Sequence, residues 1–454
     1  MFDHLNQILE KVDADYADIR YEKKTDTTVT FTGKNLTGTG SNTADGYVVR
    51  VLKNGGFASV SFTKAADADT AVGKALENAA IIAKNTREPI LLSSAAAIED
   101  IYKPSLDEDP RKITLEEKTA LTHRYNEIPL GHENIVSTNT GYVEQIREKH
   151  FMSTEGARIQ EDLVTTQLRC VITSSAGAEI RKTMVGIGGS EGFTGLRNED
   201  AEFEKKTALA LDLLTASPVK GGVHNVILDP HLAGVFTHEA FGHFSEADII
   251  EEAPTMREKM QLGAKLGTHI LSITDNPTPR NQLGHYKYDD EGVLAKPVAL
   301  MKNGVLTGRL HSRRTAASFG EPITGHCVAE DYRYAPMIRM GNIFIEPGPD
   351  TLDILMERLG EGYYFVDSLG GQTSGENFTF ASQYGYRIRG GKKAELVRDT
   401  SISGNLYVTL QSIVGVADDL KLGKTGGCGK GQANPRSCLG APHILINNVV
   451  VGGV

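Results

Sequence analysis

The sequence predicts an α+β protein: an N-terminal mixed α/β portion built on antiparallel sheet, followed by a β-rich C-terminal portion that carries one functionally charged helix. Three observations point that way. Extended β-branched runs punctuated by Glu155-Gly156 and Ala176-Gly177 fill residues from about 134 to 188. Ala-rich and amphipathic segments flank them on both sides. Beyond about Ile270 the chain turns to short strands separated by Gly-rich turns.

Taken in order, Asp3 is placed to cap a helix whose Leu5, Ile8, Leu9 and Val12 share one face. Thr27 to Phe31, Gly46 to Leu52 and Gly56 to Phe62 read as strands, the last two joined by an Asn54-Gly55 hairpin turn. A helix is expected from about Ala66 to Lys84, and Thr114 with Glu117 forms a capping box that opens another to about Tyr125. Tyr142 to Ser153, Leu163 to Ser174 and Ala178 to Ile187 form the strand meander, and a charged helix spans about Glu199 to Thr215. Ser217 to Gly222 combines Pro with paired Gly and marks the main boundary. It separates domain 1–218, with subdomains 1–110 and 111–218, from a β-rich domain 219–454. Past it, a strand from Val223 to Leu228 runs into Asp229-Pro230, an N-cap followed by proline at the first helical position.

Composition narrows the function. With 454 residues and 40% hydrophobic content the chain can bury a large core. A net charge of -10, without a dense basic run, argues against nucleic acid as a partner. No stretch reaches the roughly 18 apolar residues of a membrane span, and the start lacks a secretory pattern, so a cytoplasmic protein is expected. Four cysteines are too few to staple a chain of this size, and as thiols they are available to a metal.

The helix opened by Asp229-Pro230 carries His238-Glu239-Ala240-Phe241-Gly242-His243. In the common HExxH arrangement two histidines at i and i+4 lie roughly 40° apart around the axis and meet one ion. Here the spacing is i and i+5, roughly 140° on a regular helix, so the rings would diverge. An irregular turn between residues 238 and 243, such as a π-bulge or a break at Gly242, is therefore predicted. Catalytic zinc takes three protein ligands, and the third is sought among the cysteines. Cys428, within Gly426-Gly427-Cys428-Gly429-Lys430-Gly431, and Cys438, within Arg436-Ser437-Cys438-Leu439-Gly440, are both candidates. Two imidazoles and one thiolate would leave zinc with about one positive charge beside the Glu239 carboxylate, which is positioned by sequence to take a proton from an attacking water.

Other residues admit two readings. Glu246 and Asp248 are either acceptors that orient ligating imidazoles or a solvated acidic helix end. Asp289-Asp290-Glu291-Gly292 lacks the alternation of a calcium loop and is read as a turn between strands that lines the site. His285, Tyr286, Tyr288 and Lys430 are candidate oxyanion donors, or else ordinary packing residues.

Taken together, these motifs resemble the TldD/PmbA family of metalloproteases. The likeness rests on Gly46-Tyr47-Val48-Val49-Arg50-Val51, the His238 to His243 motif with Glu246 and Asp248, Asp289-Asp290-Glu291-Gly292, Pro336-Met337-Ile338-Arg339-Met340 and Cys428-Gly429-Lys430-Gly431-Gln432. Cys438 is an addition to the family's pattern. The resemblance implies that His238, His243 and Cys428 hold zinc and that Glu239 is the general base. It also implies action on small or unfolded peptides, and pairing with a PmbA/TldE-like subunit or with a second like subunit. Two other functions are compatible with the residues: a non-catalytic peptide-binding subunit, and a metal-dependent hydrolase of a non-peptide amide.

Overall fold

The computed structural model describes residues 1–280 and 282–452, and it is the α+β architecture expected, with largely antiparallel sheets. Helix α1 (Phe2–Leu9) leads into β1 (Tyr16–Thr32), β2 (Asn35–Lys53) and β3 (Gly56–Phe62), followed by α2 (Ala68–Asn85) and β4 (Glu99–Tyr102). Then come α3 (Leu115–Leu130), β5 (Ile135–Ser153), β6 (Arg158–Ala176), β7 (Glu179–Gly189) and α4 (Asp200–Asp212). The strands form one sheet in the order β3-β2-β1-β5-β6-β4, with β7 also paired to β6. Only the β4–β6 pair is parallel. Because β1 pairs with β5 from Asp18↔Ser153 to Thr32↔Asn139, the two helix–strand halves of this region share a single sheet.

Each half has its own core. Helices α1 and α2 bury Leu5, Ile8, Val72 and Ala75 against Ile19, Val49 and Val51. Helices α3 and α4 bury Leu121, Tyr125 and Phe203 against Tyr142, Leu168 and Ile172. The Asn54-Gly55 turn has both residues at positive φ (51° and 79°), as a tight hairpin of matching twist requires. At the start of α3 the Thr114 hydroxyl accepts from the Glu117 amide, but the Glu117 carboxylate is drawn away to Arg197 at 2.6 Å, so only half of the expected box forms. The helix also continues past Tyr125, to Leu130.

β1 begins at Tyr16, well before the Thr27 expected from the sequence, because its first half is a strand with buried charge: Asp18, Arg20 and Glu22 are each at most 1% exposed. Their partners explain this. Asp290 lies 3.4 Å from Arg20 and 3.1 Å from Lys149, while Arg50 bridges Asp18 and Glu291. The Asp289-Asp290-Glu291 turn is thus a buried ionic joint between the N-terminal sheet and the C-terminal region.

In the C-terminal region β8 (Ser217–Pro218) and β9 (Gly222–Leu228) precede α5 (Pro230–Phe236). β9 pairs with strands Ile444–Gly452 and Gly362–Ser374, and these connect through Ser401–Asn405 and Asn377–Arg389 to close a five-membered ring of strands. Closure leaves the ring no free edge among these strands. Its apolar lining is continuous with a second sheet that includes Ile273–Asp275, Asn342–Ile345 and Cys438–Ala441, and α5 is clamped between the two. No helix among the described residues is long and apolar enough to cross a membrane.

Arg20, Lys149 and Arg147 outweigh burial and hold the Asp290 carboxyl well below the usual carboxylate range. A carboxylate depressed in the folded state contributes stability that is complete above pH about 4 and is lost as pH falls through its folded value. Asp290→Asn should therefore cost about 3–5 kcal/mol at neutral pH by stranding buried cations. In denaturant titrations from pH 7 to pH 2 the gap to the native protein should narrow only below pH about 4; a gap independent of pH would contradict the joint.

Candidate metal centre

The site begins with how α5 is launched and seated. Asp229 caps it, its Oδ1 accepting from the Leu232 amide at 2.9 Å and from the Asp367 amide at 3.0 Å, with Pro230 at the first helical position. Apart from His231 the helix is apolar, and Leu232 to Phe236 are buried without exception. Gly234 lets it approach the Cys438–Ala441 strand so closely that a Cβ there would sit 2.8 Å from the backbone of Gly440.

After Phe236 the chain winds into a π-helical turn, Thr237–Gly242, followed by a short 3-10 turn, His243–Ser245. This is the irregularity that the i, i+5 spacing demanded. A wider turn brings residues five apart back to one side of the axis. The rings of His238 and His243 consequently face each other at 5.2 Å between centroids, their planes 86° apart. Gly242 packs the turn against Met340 and Ile343, where a side chain would intrude.

Cys428 arrives from the far end of the chain on a small hairpin, Cys428–Gly429 paired with Ala433–Asn434. Gly427, at φ 136°, donates its amide to Ser437 and turns the loop toward the histidines. The Cys428 sulfur lies 3.3 Å from His243 Nε2. One donor atom from each of His238, His243 and Cys428 lies within 4.8 Å of the others, and these are the three residues singled out from the sequence.

The surroundings select the donor atoms. Glu246 Oε2 is 3.1 Å from His243 Nδ1, which fixes that ring and leaves Nε2 facing the sulfur. No protein hydrogen bond reaches the His238 ring among the described residues, and its Nδ1 is buried without a partner. Burial, reinforced by His243 and Arg339, pushes His238 well below the ordinary imidazole value, so it is neutral. Burial opposes charge on His243 too, but Cys428 and Glu246 outweigh it and raise the ring to about 10. The negative groups around His243 thus favour positive charge at that ring. A soft sulfur and two imidazoles suit zinc, and in a tetrahedral zinc site nitrogen and sulfur ligands are roughly 3.5 Å apart, close to the observed 3.3 Å. Glu239 is half-buried beside them. Burial raises its carboxyl, and His243 and Thr373 lower it only in part.

Other candidates are engaged elsewhere. Lys430 is not free to stabilise an oxyanion: its ammonium is 3.1 Å from Glu246 and 3.0 Å from Asp248, so Asp248 serves the hairpin and not an imidazole. His285 bonds to Tyr102 and the Pro277 carbonyl, Tyr286 to the Gly325 carbonyl and Tyr288 to Asp100. Cys438 is buried on its strand, its thiol donating to the Gly423 carbonyl and pushed up by burial to about 12. One residue had no role in the sequence reading. Arg339, buried, donates to the carbonyls of Cys428 and Gln432, both at 2.8 Å, and fixes the hairpin's base. Its signal was a charge inside the apolar run Met337-Ile338-Arg339-Met340.

Comparison with known proteins identifies the family. The family model for the PmbA/TldA metallopeptidase C-terminal domain matches residues 221–453, and those for domain 1 and the central domain match 17–83 and 108–217. The chain belongs to the PmbA/TldD metallopeptidase family. A metalloprotease from Synechocystis is 35% identical over 97% of this chain and 95% of its own length. A protein named zinc metalloprotease TldD homolog, from Saccharolobus solfataricus, is 31% identical over the whole of both chains. Among solved structures, TldE from Thermococcus kodakarensis shares the fold at a TM-score of 0.77 with 18% identity. A candidate modulator of a DNA gyrase from Thermotoga maritima shares it at 0.80 with 19% identity. Both cover the entire chain and their own full length.

The seating of α5 is open to a direct test. Alanine is the better helix former by about 1 kcal/mol, yet Gly234→Ala should destabilise the protein by about 1–3 kcal/mol because the added methyl meets backbone that cannot move aside. Thermal unfolding reads the sign; a gain in stability would show that the contact is not tight.

Proposed function

We propose that this family member is a zinc peptidase acting on small or unfolded peptides, with His238, His243 and Cys428 as the ligands and Glu239 as the general base. The observation that carries the reading is the convergence of those three donors beside a half-buried glutamate. A zinc ion held there supplies Lewis-acid polarisation of a carbonyl and acidification of water.

The chain's own residues divide the remaining work. Glu239, made more basic by burial, takes the proton of the attacking water and passes it to the departing amine. Glu246 holds His243 by Nδ1 so that Nε2 stays turned toward Cys428. Arg339 and Lys430 keep the hairpin carrying Cys428 against the π turn. A cleft of about 520 Å³ opens beside Cys428 and suits an extended chain better than a folded domain. The fold shared with TldE supports assembly with a TldE-like subunit or with a second copy.

Glu239→Gln should retain its zinc and lower kcat for a peptide substrate by roughly 10²–10⁴-fold, the usual weight of a general base. Cys428→Ser should lose zinc as measured by metal analysis after dialysis. Equal zinc in native and Cys428→Ser protein, or undiminished cleavage by Glu239→Gln, would overturn the assignment.

A further inference from the structure

The cleft of about 520 Å³ lies between the outer face of β5, β6 and β7 and the Cys428 hairpin. Val143, Val171, Met184 and Pro435 give it apolar walls, and Cys428 opens onto it. A second cavity, of about 390 Å³, adjoins it through Arg169, Met184, Gly426 and Gly427 and continues toward His231 and Asp367. The two make one trough, and Arg169 stands at its neck.

Among the described residues, Arg169 is the one charged side chain lining the first cavity. No carboxylate lies within ion-pair distance of it among the described residues. Neighbouring arginines on the same sheet differ in this: Arg181 is paired with Glu179 and Arg147 with Glu22. The Arg169 Nη2 donates to Gln167 Oε1 at 3.0 Å and to the Gly426 carbonyl, and Nε and Nη1 meet no protein acceptor among the described residues. The bond to Gly426, two residues before Cys428, keeps the guanidinium in fixed register with the metal-binding hairpin. An arginine so held, with uncommitted donors in a cleft of apolar walls, is arranged to receive an anion, and charge-assisted bonds of this kind are the stronger class.

We propose that Arg169 determines substrate specificity by receiving a carboxylate of the bound peptide, placed along the trough next to the bond positioned at Cys428. The carboxylate is an acidic side chain or the peptide's own C-terminus. This deepens the peptidase reading and rests on it.

The test uses the zinc-loaded protein and three peptides of one sequence: a C-terminal amide with Gln next to the scissile bond, the same amide with Glu, and the Gln peptide with a free C-terminus. Native enzyme should cleave at least one carboxylate-bearing peptide with kcat/KM roughly tenfold above the neutral one, and which one identifies the source. The preference should vanish in Arg169→Gln and survive in part in Arg169→Lys, with zinc content equal to native in both. Equal kcat/KM for all three peptides in the native enzyme, or a preference that persists in Arg169→Gln, overturns the proposal and leaves the peptidase reading standing. Binding of fluorescent versions of the same peptides to Glu239→Gln, by anisotropy, separates the two claims. A carboxylate preference in binding without any cleavage by native enzyme supports Arg169 and sinks the peptidase reading, whereas failure to bind any of the three peptides overturns the role of Arg169.

Discussion

Cys428 stands 185 residues from His243 in the chain, and keeping its sulfur 3.3 Å from that imidazole is the constraint on which the site depends. Neither segment could do it alone. A flexible glycine hairpin has little reason to stop at one place, because the entropy of its backbone opposes ordering. The structure fixes it from three directions. Lys430 reaches across to Glu246 and Asp248, Arg339 holds the Cys428 carbonyl from beneath, and Gly427 is tied to Ser437, immediately before the strand that also supports α5. Glu246 joins two of these tasks, since one carboxylate oxygen meets both His243 and Lys430. The imidazole and the hairpin are thereby positioned by a common group, so displacing either displaces both.

The π turn is the second half of the same constraint. Regular helix would leave His238 and His243 facing different directions, and a π turn costs helical regularity that must be offset by packing. Here the turn is enclosed: Ala240, Phe241 and Phe244 belong to the large core that fills the strand ring and the adjoining sheet. Asp229 and Gly234 then decide where the helix starts and how deep it lies, so that the irregular turn falls at one place relative to the Cys438–Ala441 strand. Chemistry at the end of α5 is therefore coupled to stability at its beginning.

Much of this was legible in the residues. The Asp229-Pro230 start, the Asn54-Gly55 turn and the need for a distorted turn at residues 238–243 all follow from local backbone chemistry, which sequence carries directly. The first half of β1 was not legible, because Asp18, Arg20 and Glu22 look like a solvated segment until Arg50, Arg147 and Asp290 are known to meet them. The Asp289-Asp290-Glu291 segment is the turn expected, set between the bridged Tyr288 and Leu294, but its ionic role was not legible for the same reason: its partners lie far away in the chain. Long-range pairing also decided Lys430, whose ammonium is committed to two carboxylates, and Arg339, whose role is visible only with the hairpin in place. For Tyr286 and Tyr288, local sequence could not separate an oxyanion donor from a packed aromatic, and both hydroxyls bond within the fold.

The central claim is that one cation is held jointly by two imidazoles of the π turn and one thiolate of the hairpin. X-ray absorption at the zinc edge of protein reconstituted with one equivalent of zinc reads that coordination without any substitution. The account predicts a single sulfur neighbour at about 2.3 Å, with two imidazole nitrogens at about 2.0–2.1 Å. A shell of nitrogen and oxygen alone, or one with two sulfurs, would contradict it.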